Sequence, residues 1–492
     1  MTLSNADIKK GLKYSVAEGS FAHIYANLTG SIFLPSFALI LRADDFTIGL
    51  LASIPLFSNI AQIIGSLLVE RSGQRKKIAI RFAFLSRSLW IPIIVLILIF
   101  FNEQRNLLLS LMILIILIHH VVGSISGVAW LSWMSNLVPP VIRGRFFGLR
   151  NSVLGVITLL TTLLGGLFLD WYRYTFPGYS PAWSFLIIFF LAVAAGMTSL
   201  VLLSRQPDIQ EPATETIDIK AIFSEPLKNE PFKKMFRFGM FWSFAVNFSS
   251  PFYIVYMLRD LHLSYTLVSS VVICSAVADL FGMGFWGHFS DKHGNRPVAI
   301  ISATAGAILP FIWIFTTAAD YSIYMLIPLL HMAGGFFFAG YNLCSVNLIF
   351  GMAPRQKNSM YFALWAMVNG VAAGLGAISG GFFASNIRTL IGTLPFGWDS
   401  VFKMVFLLSS LMRLSSLFVL QKVPESRGVS VSWAIRILRN VRTWATTMGY
   451  HPLLQFFLPG KTDSNGMDNE EELWPLWETN RGILFARRRI KK

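Results

Sequence analysis

Apolar runs of roughly 20 residues or more recur along the chain, separated by short stretches that carry charge, proline or glycine. The runs predict twelve membrane-spanning helices, over residues 15–41, 47–69, 78–101, 108–137, 146–169, 183–204, 236–258, 265–289, 297–317, 323–350, 359–385 and 401–421. A helix of about 20 apolar residues matches the hydrocarbon thickness of a bilayer. Residues 205–235, with Pro207, Pro212, Glu215, Glu225 and Pro231, are too polar to enter lipid. The expected organisation is therefore a six-helix bundle over 1–204, a cytoplasmic linker over 205–235, a second six-helix bundle over 236–422 and a cytoplasmic tail over 423–492.

The two halves repeat one another. Between spans two and three the chain reads VERSGQRKK (69–77), and between spans eight and nine it reads SDKHGNRP (290–297). Glu70 aligns with Asp291, Gly73 with Gly294 and Arg75 with Arg296, all at an offset of 221. LRADD (41–45) after span one resembles LRDLH (258–262) after span seven. Gly155, Gly165 and Gly166 of span five match Gly370, Gly380 and Gly381 of span eleven at an offset of 215, and Pro207 falls on Pro424 at 217. Two six-helix halves in parallel repeat are a transporter architecture, with the substrate held between them near the midplane.

Composition narrows the class. Of 492 residues, 54% are hydrophobic and 13% charged, against about 25% charged in soluble domains. The net charge of +16 is a topology signal rather than a nucleic-acid footprint: with the N-terminus inside, the cytoplasmic loops hold eighteen Lys and Arg and the outer loops five. Both termini are then expected in the cytoplasm, in the plasma or inner membrane. The polar N-terminus with Lys9, Lys10 and Lys13 does not read as a cleavable signal. Cys274 and Cys344 lie inside apolar runs and predict neither a disulfide nor a metal site. No phosphate-binding loop is present, which argues against direct ATP coupling, and no cofactor or enzymatic site is expected.

Twelve spans, a duplicated half and paired loops of the type G-x-x-x-D-R-x-G-R-R resemble the major facilitator superfamily. The second loop fits well, with Gly287, Asp291, Lys292, Gly294 and Arg296; the first departs, with Ser66 at the first glycine position, Gly65 one place early, and Glu70 in place of Asp. PPVIRGRFFG (139–148), with Arg143 and Gly144, is similar to a further loop of many members. The resemblance covers about residues 14–422. It implies that Glu70, with Arg71, Gly73 and Arg75 around it, faces the start of span eleven near Ser359 as a charge lock on the cytoplasmic side. By pseudo-symmetry Asp291 faces the start of span five, near Gly144 and Arg145. The alternative is that these loops set topology alone.

Ionisable groups at membrane depth are costly and are functional candidates by default. Asp279 lies twelve residues before Asp291, about 18 Å along the helix, and is a candidate for coupling transport to a proton or other cation. A structural hydrogen bond is the alternative. His23 is the second coupling candidate; it shares a face of span one with Asn27. His119, His120 and His331 are read as packed histidines, and Arg87 and Arg413 as bundle braces. Cavity candidates are Asn27, Trp130, Trp133, Trp242, Asn247, Tyr253, Tyr341, Asn342, Trp365 and Asn369. In the tail, SWAIRILRNVRTW (432–444) reads as an interfacial amphipathic helix.

The sequence thus predicts an all-α membrane protein, acting as a monomer in the bilayer on a small-molecule substrate and a proton or other cation. Three alternatives stay open: a sensor or scaffold on the same fold, an exporter of lipophilic drugs, and a channel. Gly165-Gly166 lacks the proline of the Gly-Pro-x-x-Gly-Gly run that the resemblance associates with drug–proton antiporters.

Overall fold

The computed structural model describes residues 4–208, 219–354, 357–391, 398, 400–424, 430 and 432. Every regular element among the described residues is helical. Eleven helical segments are long and apolar enough to cross a membrane, from Ala6–Ile40 through Val401–Leu420. The seventh predicted span is present but broken into Glu230–Asn247, Phe252–Val255 and a π-turn over Tyr256–Asp260. Its first two turns carry Glu230, Lys233, Lys234 and Arg237, and Pro251 starts its second piece, so it falls short of the hydropathy of a continuous span. Span one also breaks, between Asn5–Leu28 and Phe33–Ile40, with Ser31 at φ 43°.

The stretch expected as a linker holds the helix Ile219–Leu227 and the first turn of the seventh span. Glu225 on that helix reaches Lys357 at the foot of span eleven, 2.6 Å away. The tail helix expected over 432–444 lies outside the described residues, apart from Ser432.

The repeat is visible in the backbone. Arg42 (φ 63°) and His262 (φ 53°) are both left-handed, and Asp44 and Ser264 then cap the next helices by accepting from the Thr47 and Leu267 amides. These pairs are 220 positions apart. The backbone thus aligns Arg42 with His262, three places from the LRADD–LRDLH match. Gly73 (φ 65°) ends span two and Gly294 (φ 96°) ends span eight in conformations that a side chain resists. Each motif loop then ties back to the last span of its own half: Lys76 Nζ donates to the Gln206 carbonyl and Arg296 to the Gln421 carbonyl.

The buried apolar residues divide unequally across the membrane. On the face away from the motif loops one continuous core joins both halves, including Phe33, Phe37, Trp90 and Phe189 with Phe252, Tyr256, Phe402 and Phe406. Toward the motif loops the cores are separate. One, around Phe232, Trp286 and Leu348, belongs to the second half; two, around Val69 and Trp133 and around Leu12 and Phe146, belong to the first. Among the described residues, the buried apolar core that joins the two bundles lies on one side.

Candidate functional site

Polar contacts close the same face that the shared core closes. At the end of span five Asp170 accepts from the backbone N–H groups of Tyr265 (3.1 Å) and Thr266 (2.7 Å), the first residues of span eight. At the end of span eleven Ser385 Oγ accepts from the Phe46 amide, at the start of span two, at 2.8 Å. Asp45 and Arg259 form an ion pair across the bundles at 2.6 Å, and Arg259 also meets Asp260 at 3.0 Å. Backbones approach closely here: a Cβ on Gly49 would lie 2.4 Å from the Ala377 carbonyl, and one on Gly166 would lie 2.2 Å from Ser269 Oγ.

The motif-loop face is different. Neither Glu70 nor Asp291 has a hydrogen bond or ion pair among the described residues, and Asp291 and Arg71 are exposed. Arg75 Nε donates to Ser132 of its own bundle, and Arg143 to the Ser135 carbonyl. Positions for a Cβ on Gly144, Gly148 and Gly155 of span five have no atom within 4 Å, and Gly287 has only Leu343 nearby at 3.5 Å. The side chain of Ser359, the expected partner of Glu70, lies outside the described residues. Among the described residues the two carboxylates of the expected lock thus stand without a hydrogen bond or ion pair, while polar contacts join the bundles on the opposite face.

Two cavities open within the bundles. One, of about 560 Å³, lies in the first bundle and is lined by Glu18, His23, Arg87, His119, Trp130 and Arg150 among others. Glu18 sits between two guanidinium groups, 3.5 Å from Arg87 and 3.7 Å from Arg150, with all three side chains about nine-tenths buried. Arg150, inside predicted span five but counted with the cytoplasmic loop charges, lies within the long fifth helix, packed over the Trp130 ring at 4.5 Å. His119 Nδ1 lies 2.8 Å from Ser86 Oγ and 3.4 Å from Tyr25 Oη. His23 meets Thr158 at 3.2 Å.

The second cavity, about 460 Å³, lies in the second bundle, where Asp279, Tyr253, Trp313, His331 and Arg413 line it. Asp279 has no hydrogen bond or ion pair among the described residues. Arg413 is buried and donates to the Gly306 and Val246 carbonyls and to Ser409 and Ser249, which brings spans nine, seven and twelve together. Tyr253 stacks on Phe406, 4.6 Å between ring centres.

The other candidates take varied places. Asn27 turns from the cavity to donate to the Thr158 carbonyl and to Thr162 Oγ1 of span five. Trp133 is fully buried and donates to the Pro207 carbonyl. Trp242 and Tyr341 pack together in the second-bundle core, 5.0 Å apart. Asn247 donates to the Ser243 carbonyl of its own helix, and Ser243 Oγ donates to Asn369 Oδ1, which joins spans seven and eleven near Trp365. Asn342 is exposed. Sequence reasoning missed Glu18, Arg150, Asp170 and the Asp45–Arg259 pair; of these Glu18 and Arg150, charges inside predicted spans one and five, carried a signal that could have found them.

The sequence profile of the Major Facilitator Superfamily matches residues 19–255 and again 236–459. The chain belongs to the major facilitator superfamily. Among solved structures this superfamily member is similar to a crystal structure of the nucleoside transporter NupG, with TM-score 0.63 and 14% identity over 84% of this chain and 98% of that one. It is also similar to a D-xylose-proton symporter (TM-score 0.62, 15% identity, 87% and 99% covered). A bacterial homologue of the iron transporter ferroportin in an inward-facing state gives TM-score 0.62 at 14% identity, with 86% and 99% covered. At these identities the likeness establishes the fold. No curated protein sequence matches the chain at a significant level.

Proposed function

We propose that the protein is a secondary active transporter of a small organic solute, working by alternating access and coupled to protons. The observation that carries this is the division of the core: one continuous apolar core joins the bundles on one face, and separate cores leave them apart on the other. Two packed bodies that meet at one end only can rock to meet at the other. With the Lys- and Arg-rich loops in the cytoplasm, the cavities face inward in this arrangement. Asp279 and His23, each on a cavity wall, are the groups proposed to carry the coupling proton. A sensor or scaffold has no need for a face held shut by cross-bundle helix-end contacts while Glu70 and Asp291 opposite make no hydrogen bond or ion pair among the described residues.

The test is transport by purified protein in proteoliposomes with a pH dye inside. Solute movement should carry protons, and Asp279→Asn should abolish proton-driven accumulation while solute exchange continues. Solute movement without protons in the wild type defeats the coupling; no movement of any solute defeats the transporter reading.

A further inference from the structure

We infer that the first-bundle cavity is a binding site for the anionic group of a carboxylate or phosphate solute, held by Arg87 and Arg150, and that Glu18 takes up a proton when the anion binds. This deepens the transporter reading and rests on it for its role in transport, though binding itself does not depend on that reading.

The first argument is charge. The cavity wall holds two guanidinium groups and one carboxylate; the remaining titratable groups, His23 and Tyr25 on span one and His119 and His120 on span four, bring no negative charge at neutral pH. One positive charge is left over, in side chains about nine-tenths buried at membrane depth. That excess draws an anion toward the cavity, and once Glu18 is protonated both guanidinium charges are free to meet it.

The second argument is the supply of donors. Each guanidinium has five N–H groups. Arg87 places one on the Gly196 carbonyl and Arg150 one on the Ser15 carbonyl, both at 3.3 Å. Glu18 lies at 3.5 and 3.7 Å, beyond the usual range of about 2.7–3.2 Å. A single carboxylate shared by two arginines thus holds neither tightly. The indole Nε1–H of Trp130, whose ring lies under Arg150, is buried and meets no acceptor among the described residues. Buried donors normally have partners; an anion oxygen beside Arg150 would supply one.

The third argument is placement. Gly19 lets the Arg150 side chain press against span one: a Cβ there would lie 2.5 Å from Nη2 and 2.9 Å from Cζ. The guanidinium is therefore fixed between span one and the Trp130 face. An anion on the arginines competes with the Glu18 carboxylate for the same N–H groups and repels its charge. Protonating Glu18 removes both penalties: one proton joins the Glu18 carboxylate, one anion joins the guanidinium pair, and for a singly charged anion the cluster keeps its net charge.

The test uses purified full-length protein and four anions, namely benzoate, succinate, inorganic phosphate and glucose 6-phosphate, against benzamide, succinamide and glucose. Thermal stability and proton uptake from weakly buffered solution are read together. At least one anion should raise the melting temperature and draw in about one proton per protein. Arg150→Gln should weaken that anion tenfold or more, and Trp130→Phe, which keeps the ring and removes the N–H, severalfold. Glu18→Gln should bind the anion at least as tightly as the wild type, without proton uptake or pH dependence beyond the anion's own titration; a merely structural Glu18 would give weaker binding. Should Arg150→Gln fail to fold, Gly19→Ala displaces the guanidinium while keeping its charge and should give the same loss. The inference is overturned if none of the four anions stabilises the protein, if the neutral compounds do so equally, if the arginine and glycine variants bind as the wild type does, or if proton uptake beyond the anion's own titration survives in Glu18→Gln. Asp279→Asn should leave this uptake intact, which separates the site from the coupling proposed above.

Discussion

Asp170 and Ser385 hold equivalent places in the two bundles, 215 positions apart, and each accepts a backbone N–H from the first turn of a helix in the opposite bundle. The closed face is thus held by a pseudo-symmetric pair of helix-end contacts. One is charged and engages two amides; the other is neutral and engages one. Free amides and the positive end of the dipole meet at a helix N-terminus, so Asp170 is the stronger of the two.

Replacing Asp170 by Asn therefore loosens this face. Loss of the charge costs roughly 0.3–1 kcal/mol, about a two- to fivefold shift toward opening. Ser385→Ala removes a neutral acceptor, an effect of about 1 kcal/mol or less. Thiol labelling of a single cysteine placed at Val272, on the second-bundle cavity, by an impermeant reagent from the Asp170 side should rise in both variants. Unchanged labelling would mean that the shared core alone holds the face.

Glu70 and Asp291 have no hydrogen bond or ion pair among the described residues in this arrangement. Glu70→Gln and Asp291→Asn should therefore leave its melting temperature within about the effect of a neutral surface change, roughly 0.5 kcal/mol. If the two residues lock the motif-loop face in the opposite arrangement, the same variants reduce the time spent there, and labelling of the Val272 cysteine from that face increases. A large loss of stability would instead give these carboxylates a structural role in the arrangement described.

The linker helix offers a pH and salt test. Hydrogen bonds from Lys228 and Lys357 hold the Glu225 carboxyl down to about 2. A depressed carboxyl stabilises docking above its ordinary value near 4.3, and the contribution is lost as pH falls through about 2. Docking of the helix Ile219–Leu227 against span eleven should accordingly be constant between pH 5 and 8, on the order of the physiological range, and weaken with salt because the pair is exposed. Hydrogen exchange of the helix amides should quicken in Glu225→Gln at any of these pH values. Equal exchange rates would show that its apolar contacts suffice.

Much of this is legible in the chain because the bilayer imposes it. Span positions follow from apolar length, and the motif loops and Gly73 follow from repetition at a fixed offset. The position of the seventh span is legible, but its break is not, since Ser249, Ser250 and Pro251 sit inside a run that is apolar on average. The Glu18–Arg87–Arg150 cluster draws on spans one, three and five, and no spacing along the chain encodes that meeting. Arg150 lies inside predicted span five, 146–169, but near its cytoplasmic end, where a basic residue counts toward topology rather than toward a site. Asp170 is silent for another reason: its partners are backbone amides, which have no letter in the sequence.

If the bundles rock as proposed, glycines separate the contacts that must break from those that must not. Gly335 lies within the second bundle, where a Cβ would meet the Ser275 carbonyl at 2.0 Å. Gly335→Ala therefore forces spans eight and ten apart in every state and should destabilise the protein, by about 1–3 kcal/mol as overpacking does. Gly49 and Gly381 lie between the bundles: a Cβ would meet the Ala377 carbonyl at 2.4 Å and the Asp45 carbonyl at 2.6 Å respectively. Rocking as proposed would part these surfaces, so Gly49→Ala and Gly381→Ala should penalise one state only. They should leave expression and folding near normal, raise labelling of the Val272 cysteine from the Asp170 face, and lower it from the motif-loop face. If Gly49→Ala instead unfolds the protein as Gly335→Ala does, the contact between spans two and eleven is permanent, and the bundles do not part along it.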